Sequence, residues 1–190
     1  MGANAQRSLK VVLLGFPEVG KTSLANRFTR NVFVNHYINT IGCDYYIKNV
    51  VIDSQEIKLI IHDIGGSVVL RSFRQKYMEG ADIVFVVFAL NDPTTYNIDE
   101  FLADIDELKM RPTVAFIGNK LDLVDPESLD LSSIEAKATS IGVQLCLTSA
   151  KENIAVSDVF LSVAGQFLIE NGSGDDPPPL KGFNATGYHY

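Results

Sequence analysis

The sequence predicts an α/β fold, a six-stranded, mostly parallel sheet with one antiparallel strand and helices on both faces, and three observations predict it. Short, β-branched apolar runs recur at residues 9–14, 57–61, 83–90, 114–117 and 143–147, the composition of strands buried on both faces. Helical patterns fill most of the gaps between them. One connection, Asp53-Ser54-Gln55-Glu56, is too short for a helical crossover and predicts an antiparallel hairpin between Asp44 and Asp63.

Taken in order, the run 9–14 reads as the first strand and feeds Gly15-Phe16-Pro17-Glu18-Val19-Gly20-Lys21-Thr22, which fits G-x(4)-G-K-[ST] ahead of a helix-prone segment. Backbone N–H groups of such a loop converge on a phosphate, the lysine bridges phosphate oxygens, and the threonine hydroxyl suits Mg²⁺. The hairpin follows, then the strand 83–90. Ile98, Phe101, Leu102, Ile105 and Leu108 form one apolar helical stripe before the strand 114–117. Val156, Val159, Phe160, Val163, Phe167 and Leu168 form another near the C-terminus, and both stripes read as core faces rather than ligand surfaces. From Gly172 the sequence Gly-Ser-Gly-Asp-Asp-Pro-Pro-Pro cannot continue a helix. The organisation expected is an arm at 1–8, one domain at 9–170 and a Pro/Gly-rich tail or linker at 171–190.

Composition narrows the function classes. A chain of 190 residues with 46% hydrophobic content suffices for one packed domain, and a net charge of −7 argues against general affinity for nucleic acid or anionic lipid. Cys43 and Cys146 show no CxxC spacing, so neither a disulfide framework nor a zinc site is expected, and a reducing, cytoplasmic setting fits. Met1-Gly2-Ala3-Asn4-Ala5 begins like an acylation signal, but Gln6 stands where Ser or Thr is required.

The remaining polar motifs lie where strands end. Asn119-Lys120-Leu121-Asp122 follows the run 114–117, at the carboxyl edge where open α/β sheets bind ligands. A carboxylate at Asp122 accepts from both N1–H and the 2-amino group of guanine, whereas adenine leaves it unpaired. Asn119 is expected to tie its loop to neighbouring backbone, and the Lys120 stem to lie along the base. Ser149-Ala150-Lys151 follows the last strand, with backbone N–H groups in reach of a guanine carbonyl, and Phe33 either stacks on the base or packs on the core. Thr40 is placed to ligate Mg²⁺ in a loop over the γ-phosphate, Asp63 to hold a magnesium-bound water, and Gly66 N–H to sense the γ-phosphate.

With these five motifs in order, residues 8–169 resemble the Ras superfamily of small GTPases. Thr40-Ile41-Gly42-Cys43-Asp44-Tyr45 is similar to the Rab effector-loop signature, and Phe73-Arg74-x-x-Tyr77-x-x-Gly80-Ala81 loosely to the Rab second-switch pattern. The resemblance implies a P-loop NTPase G domain that binds GTP or GDP with Mg²⁺ as a molecular switch in vesicle trafficking or signalling. The expected nucleotide contacts are Gly15, Glu18, Val19, Gly20, Lys21, Thr22, Ser23, Phe33, Thr40, Asp63, Gly66, Asn119, Lys120, Asp122, Ser149, Ala150 and Lys151. Thr22, Thr40 and Asp63 form the metal site, and Lys21, Gly66 and Ser67 the catalytic positions. Effectors are expected at residues 41–46 and 65–78, beside an exchange factor and a GTPase-activating protein.

Three departures from the family pattern shape the expectation. Ser67 stands where the family usually has the glutamine that orients water, so hydrolysis should be slow unless a TBC-type partner supplies the missing groups. Pro17 and Glu18 replace small residues, adding bulk and a repulsive carboxylate near the triphosphate. The C-terminal residues Asn184-Ala185-Thr186-Gly187-Tyr188-His189-Tyr190 carry no prenylatable cysteine, so no lipid anchor is expected on this chain, and membrane association would need a partner or a C-terminal extension. The alternative reading is a GTP- or GDP-binding interaction module that does not hydrolyse.

Overall fold

The computed structural model describes residues 6–35, 39–66 and 71–172. Among them, β1 (Arg7–Leu14), β2 (Cys43–Ile52), β3 (Gln55–Ile64), β4 (Ile83–Ala89), β5 (Thr113–Asn119) and β6 (Gln144–Leu147) form one sheet in the order β2-β3-β1-β4-β5-β6. β2 runs antiparallel to β3, and the other neighbours are parallel. The connections carry α1 (Lys21–Arg30), α2 (Arg71–Met78), α3 (Asp99–Asp106) and α4 (Ser132–Ile141), and α5 (Val156–Glu170) closes the domain. Parallel pairing sends the ends of β1, β3, β5 and β6 to one edge, and the sheet order reverses at β1, which lies between β3 and β4. Every motif loop therefore opens at that edge.

The two-residue period of a strand divides the core. Ile83, Phe85, Val87 and Ala89 of β4 face a cluster that includes Leu24 and Phe28 of α1 and Phe160 and Val163 of α5. Val84, Val86 and Phe88 face the other way, toward Met78 of α2, Phe101 of α3 and Ile134 of α4. Phe160 fastens the first layer, with its ring stacked on Phe28 at 4.1 Å and edge-on to Phe85 at 5.0 Å. All seven residues of β4 are buried, so that strand reads as an unbroken apolar run.

The structure moves several element limits. β1 opens at Arg7, so Arg7 and Ser8 leave the N-terminal arm and pair with Ile57 and Lys58. β3 runs from Gln55 to Ile64, which places Asp63 inside the strand instead of after it. The third helix stops at Asp106, with Leu108 beyond it packed on the second cluster. α4 buries only Ile134 and Ala138, too short a stripe for sequence periodicity to mark. β2 is an edge strand whose Tyr45, Ile47 and Val51 are more than half exposed, so the hairpin is buried on one face only.

The hairpin turn is Asp53-Ser54 alone, since Ile52 pairs with Gln55. Both turn residues have positive φ, 48° and 63°, the primed geometry that matches strand twist and favours Asn-Gly. Ser54 carries a Cβ in the left-handed region, which costs about 1 kcal/mol relative to glycine. Asp53→Asn with Ser54→Gly is expected to stabilise the domain by about 1 kcal/mol, read as a higher urea midpoint at unchanged m-value. An unchanged or lower midpoint counts against this account of the turn.

Candidate nucleotide site

The loop 15–20 turns back on itself because Gly15, Glu18 and Gly20 all take positive φ, 144°, 64° and 99°. Successive N–H groups in such a turn face inward and form a concavity for an anion. Lys21, the first residue of α1 and 6% exposed, donates from Nζ to the carbonyls of Gly15 and Phe16, each at 2.8 Å. An ammonium has three N–H groups, so one is left for a ligand. Burial pulls the Lys21 pKa down to about 8 against the opposing charge of Asp63, and an anion in the loop favours the charged form.

Beside the lysine, the three residues expected to hold a metal meet. Thr22 Oγ1 donates to Asp63 Oδ2 at 2.5 Å and lies 3.1 Å from Thr40 Oγ1. Asp63 is fully buried, its other oxygen has no hydrogen-bond partner, and burial pushes its carboxyl pKa up while Thr22 and Lys21 pull it back. Hydroxyls beside an unsatisfied carboxylate oxygen are the hard donors that Mg²⁺ prefers. The residues fit that ion.

Glycines bring the Gly66 loop against the phosphate loop and join it to the Thr40 loop. A Cβ on Gly66 would fall 2.5 Å from Pro17 N and 2.6 Å from Phe16 C, so only glycine allows that approach. Gly65 N–H donates to Gly42 O at 2.9 Å, extending the β2–β3 pairing until the Thr40 and Gly66 loops are joined. Phe16, half-buried, sets its ring edge-on to Phe101 of α3 at 5.0 Å and so anchors the phosphate loop from behind. Ser67 lies outside the described residues.

The opposite end of the site is organised by Asn119, the last residue of β5 and 2% exposed. Its Nδ2 donates to Val19 O at 3.0 Å, and its Oδ1 accepts from Ala150 N at 3.1 Å and Thr148 Oγ1 at 3.3 Å. A Cβ on Gly20 would lie 2.2 Å from that amide nitrogen, so the glycine makes room for the bridge. Asp122 Oδ1 accepts from Ser149 Oγ at 2.6 Å, and Lys151 Nζ stands 3.8 Å from Oδ2. Ala150 N–H, expected to face a guanine carbonyl, is directed at Asn119 Oδ1 instead. Lys120 takes φ 68°, which turns the chain between Asn119 and Asp122.

These groups share one cleft of about 470 Å³. Glu18, Gly20, Lys21, Thr22, Ser23, Phe33, Thr40, Gly66, Asn119, Lys120, Asp122, Ala150 and Lys151 line it. Gly15, Val19, Asp63 and Ser149 stand behind the lining and act through the hydrogen bonds above. Phe33 packs on the first cluster, as its core reading expects, and also lines the cleft. Sequence reasoning missed Phe16, Arg27, Asn26 and Leu123. Asn26 and Leu123 also line the cleft, and neither belongs to a spaced motif that would have marked it.

A phosphate-type loop, a cluster of hard donors and the Asp122 carboxylate share one sheet edge, an arrangement suited to a guanine nucleotide. A Ras family sequence profile matches residues 10–168, and the chain belongs to that family. Ras-related protein RABD1 of Arabidopsis thaliana is 32% identical over 166 residues, covering 86% of this chain and 81% of the relative. GTP-binding protein YPTM1 of Zea mays is 32% identical over 157 residues, covering 82% and 76%. The protein is a Rab-like small GTPase of the Ras superfamily.

Removing the Asn119 amide leaves Val19 O and Ala150 N–H buried without that partner. Asn119→Ala is expected to lower unfolding free energy by about 2 kcal/mol. Urea denaturation without nucleotide measures it, and a change below about 0.5 kcal/mol, the scale of a neutral surface substitution, would show that the bridge is dispensable.

Proposed function

We propose that this chain works as a guanine-nucleotide switch that binds GTP or GDP with Mg²⁺ and hydrolyses GTP slowly. The observation that carries the reading is the convergence, in one cleft, of Lys21, Thr22 and Thr40 at one end and Asn119, Asp122 and Lys151 at the other. Thr22 and Thr40 would hold Mg²⁺ with Asp63 behind them, and the bound ion offsets charge on the β- and γ-phosphates. Lys21 directs its remaining N–H to the same phosphates, and the fixed N–H groups of the loop need no reorganisation to meet them.

The switch follows from the ladder between β2 and β3. Gly66 N–H and Thr40 would both meet a γ-phosphate, and the Gly65–Gly42 hydrogen bond joins their loops. Loss of the γ-phosphate removes both contacts, the order-to-disorder device of guanine-nucleotide proteins. Ile41, Tyr45 and Phe73, all more than half exposed, give effectors an apolar surface within 41–46 and 65–78. Tyr46, Arg74 and Met78 fall within those ranges but are buried, so they stand outside that surface. An exchange factor and a GTPase-activating protein complete the cycle. We place the protein in the cytoplasm, acting in vesicle trafficking or signalling.

Slow hydrolysis rests on Ser67, whose hydroxyl is too short to orient water as a glutamine amide does. Single-turnover assay with Mg²⁺ is expected to show conversion to GDP over hours, abolished by Lys21→Ala and accelerated roughly tenfold by Ser67→Gln. A rate equal to that of glutamine-bearing relatives would sink this reading. The non-hydrolysing interaction module draws on the Pro17 ring beside Gly66, where an activating arginine would need space. GTP bound yet unchanged throughout the assay would favour it.

Glu18 is exposed, lines the cleft and holds φ 64°, a left-handed conformation a glutamate adopts at a cost. Glu18→Gly removes both that strain and a repulsive charge. Nucleotide affinity is expected to rise about tenfold, the equivalent of 1.4 kcal/mol. Fluorescent-nucleotide titration reads it, and an unchanged dissociation constant refutes it.

A further inference from the structure

Arg27 belongs to none of the motifs, yet its guanidinium joins two walls of the base end of the cleft. It lies in α1, half-buried, and donates from Nε to Ala150 O at 2.8 Å and from Nη2 to Lys151 O at 2.9 Å. From Nη1 it reaches Asn31 O at 3.0 Å and Asn31 Oδ1 at 3.1 Å. The first pair crosses more than 120 residues of chain to the turn after β6. The second fixes the C-cap of α1, where Asn31 takes φ 55° and sends the chain toward Phe33. We propose that Arg27 is a positioning residue for base recognition, setting the Asp122 carboxylate on one side and the Phe33 wall on the other. This rests on the guanine-nucleotide reading above.

The route to Asp122 runs through one hydroxyl. A planar trans peptide points its C=O and N–H in opposite directions. With Lys151 O held on Arg27, Glu152 N–H is turned the other way and donates to Ser149 Oγ at 3.0 Å. Ser149 has one hydroxyl proton, and with its oxygen accepting from Glu152 that proton goes to Asp122 Oδ1. Asp122 is thereby fixed in orientation by a chain that starts at Arg27. The planar fork is what the task requires, because Nε and Nη2 take two neighbouring carbonyls while Nη1 serves Asn31. A lysine ammonium, a single point on a flexible stem, cannot span all three.

The test compares GDP with inosine diphosphate, which lacks the 2-amino group that a well-placed Asp122 reads. Affinities are measured by competition against fluorescent GDP in Mg²⁺ for the full chain and for Arg27→Ala, Arg27→Lys, Ser149→Ala and the double variant Arg27→Ala/Ser149→Ala. Arg27→Ala is expected to cut the preference for GDP over inosine diphosphate about tenfold, with Arg27→Lys intermediate. The double variant is expected to match the single ones, since both act on one carboxylate. Equal weakening toward both nucleotides would make Arg27 a structural residue only and overturn the proposal, as would independent effects that multiply in the double variant. Arg27→Lys keeps charge and length and carries the same comparison if Arg27→Ala does not fold. A wild-type chain that binds GDP no better than inosine diphosphate overturns the guanine reading itself, an outcome separate from failure of the arginine variants.

Discussion

Three loops that are far apart in the chain meet at the side-chain amide of Asn119. The phosphate loop supplies Val19 O, the turn after β6 supplies Ala150 N–H and the Thr148 hydroxyl, and β5 supplies Asn119 itself. A carboxamide has both donor and acceptor, which lets one buried group satisfy backbone of both kinds. Without it, the cleft's phosphate and base ends would be separate loops. With it, a displacement at one end meets resistance from the other, and Gly20 exists in part to make the approach possible.

A second constraint is electrostatic. Lys21 and Asp63 are both nearly or fully buried, and burial pushes each toward its neutral form. Each also keeps unused hydrogen-bonding capacity, the third N–H of Lys21 and Oδ1 of Asp63. A phosphate anion and a divalent cation together supply the missing partners. An anion and a divalent cation bound together would offset both charges at once. The Thr22–Asp63 hydrogen bond holds the hydroxyl against the carboxylate.

Sheet topology ties the Thr40 and Gly66 loops together at the end of the β2–β3 ladder. β4 is buried along its whole length, whereas the β2–β3 hairpin is covered on one face and ends in the Gly42–Gly65 contact. Rearrangement at Thr40 or Gly66 therefore disturbs little core. The same exposure leaves Tyr45 and Ile47 on the outer face of the hairpin. α2 is tied down more firmly than a free loop would be, with Arg74 paired to Glu100 and Asp104 and lying over the Phe101 ring. Phe16 touches the same ring, so the phosphate loop and α2 share one aromatic support on α3.

Much of this was legible in the sequence because it depends on local chemistry. The apolar runs marked five strands, the short polar connection marked the hairpin, and G-x(4)-G-K-T, Thr40, Asp63-x-x-Gly66, Asn119-Lys-x-Asp122 and Ser149-Ala-Lys each carry their function within a few residues. Backbone turns and spacing determine such features, and neighbours along the chain suffice to specify them. The tertiary structure alone decided what crosses from one segment to another. It directed Ala150 N–H to Asn119, set Phe16 against Phe101, drew Arg27 to Ala150 and Lys151, and turned Tyr46 inward. Those contacts join residues tens to more than a hundred positions apart, and only packing of the sheet and helices brings their partners within hydrogen-bond or van der Waals range.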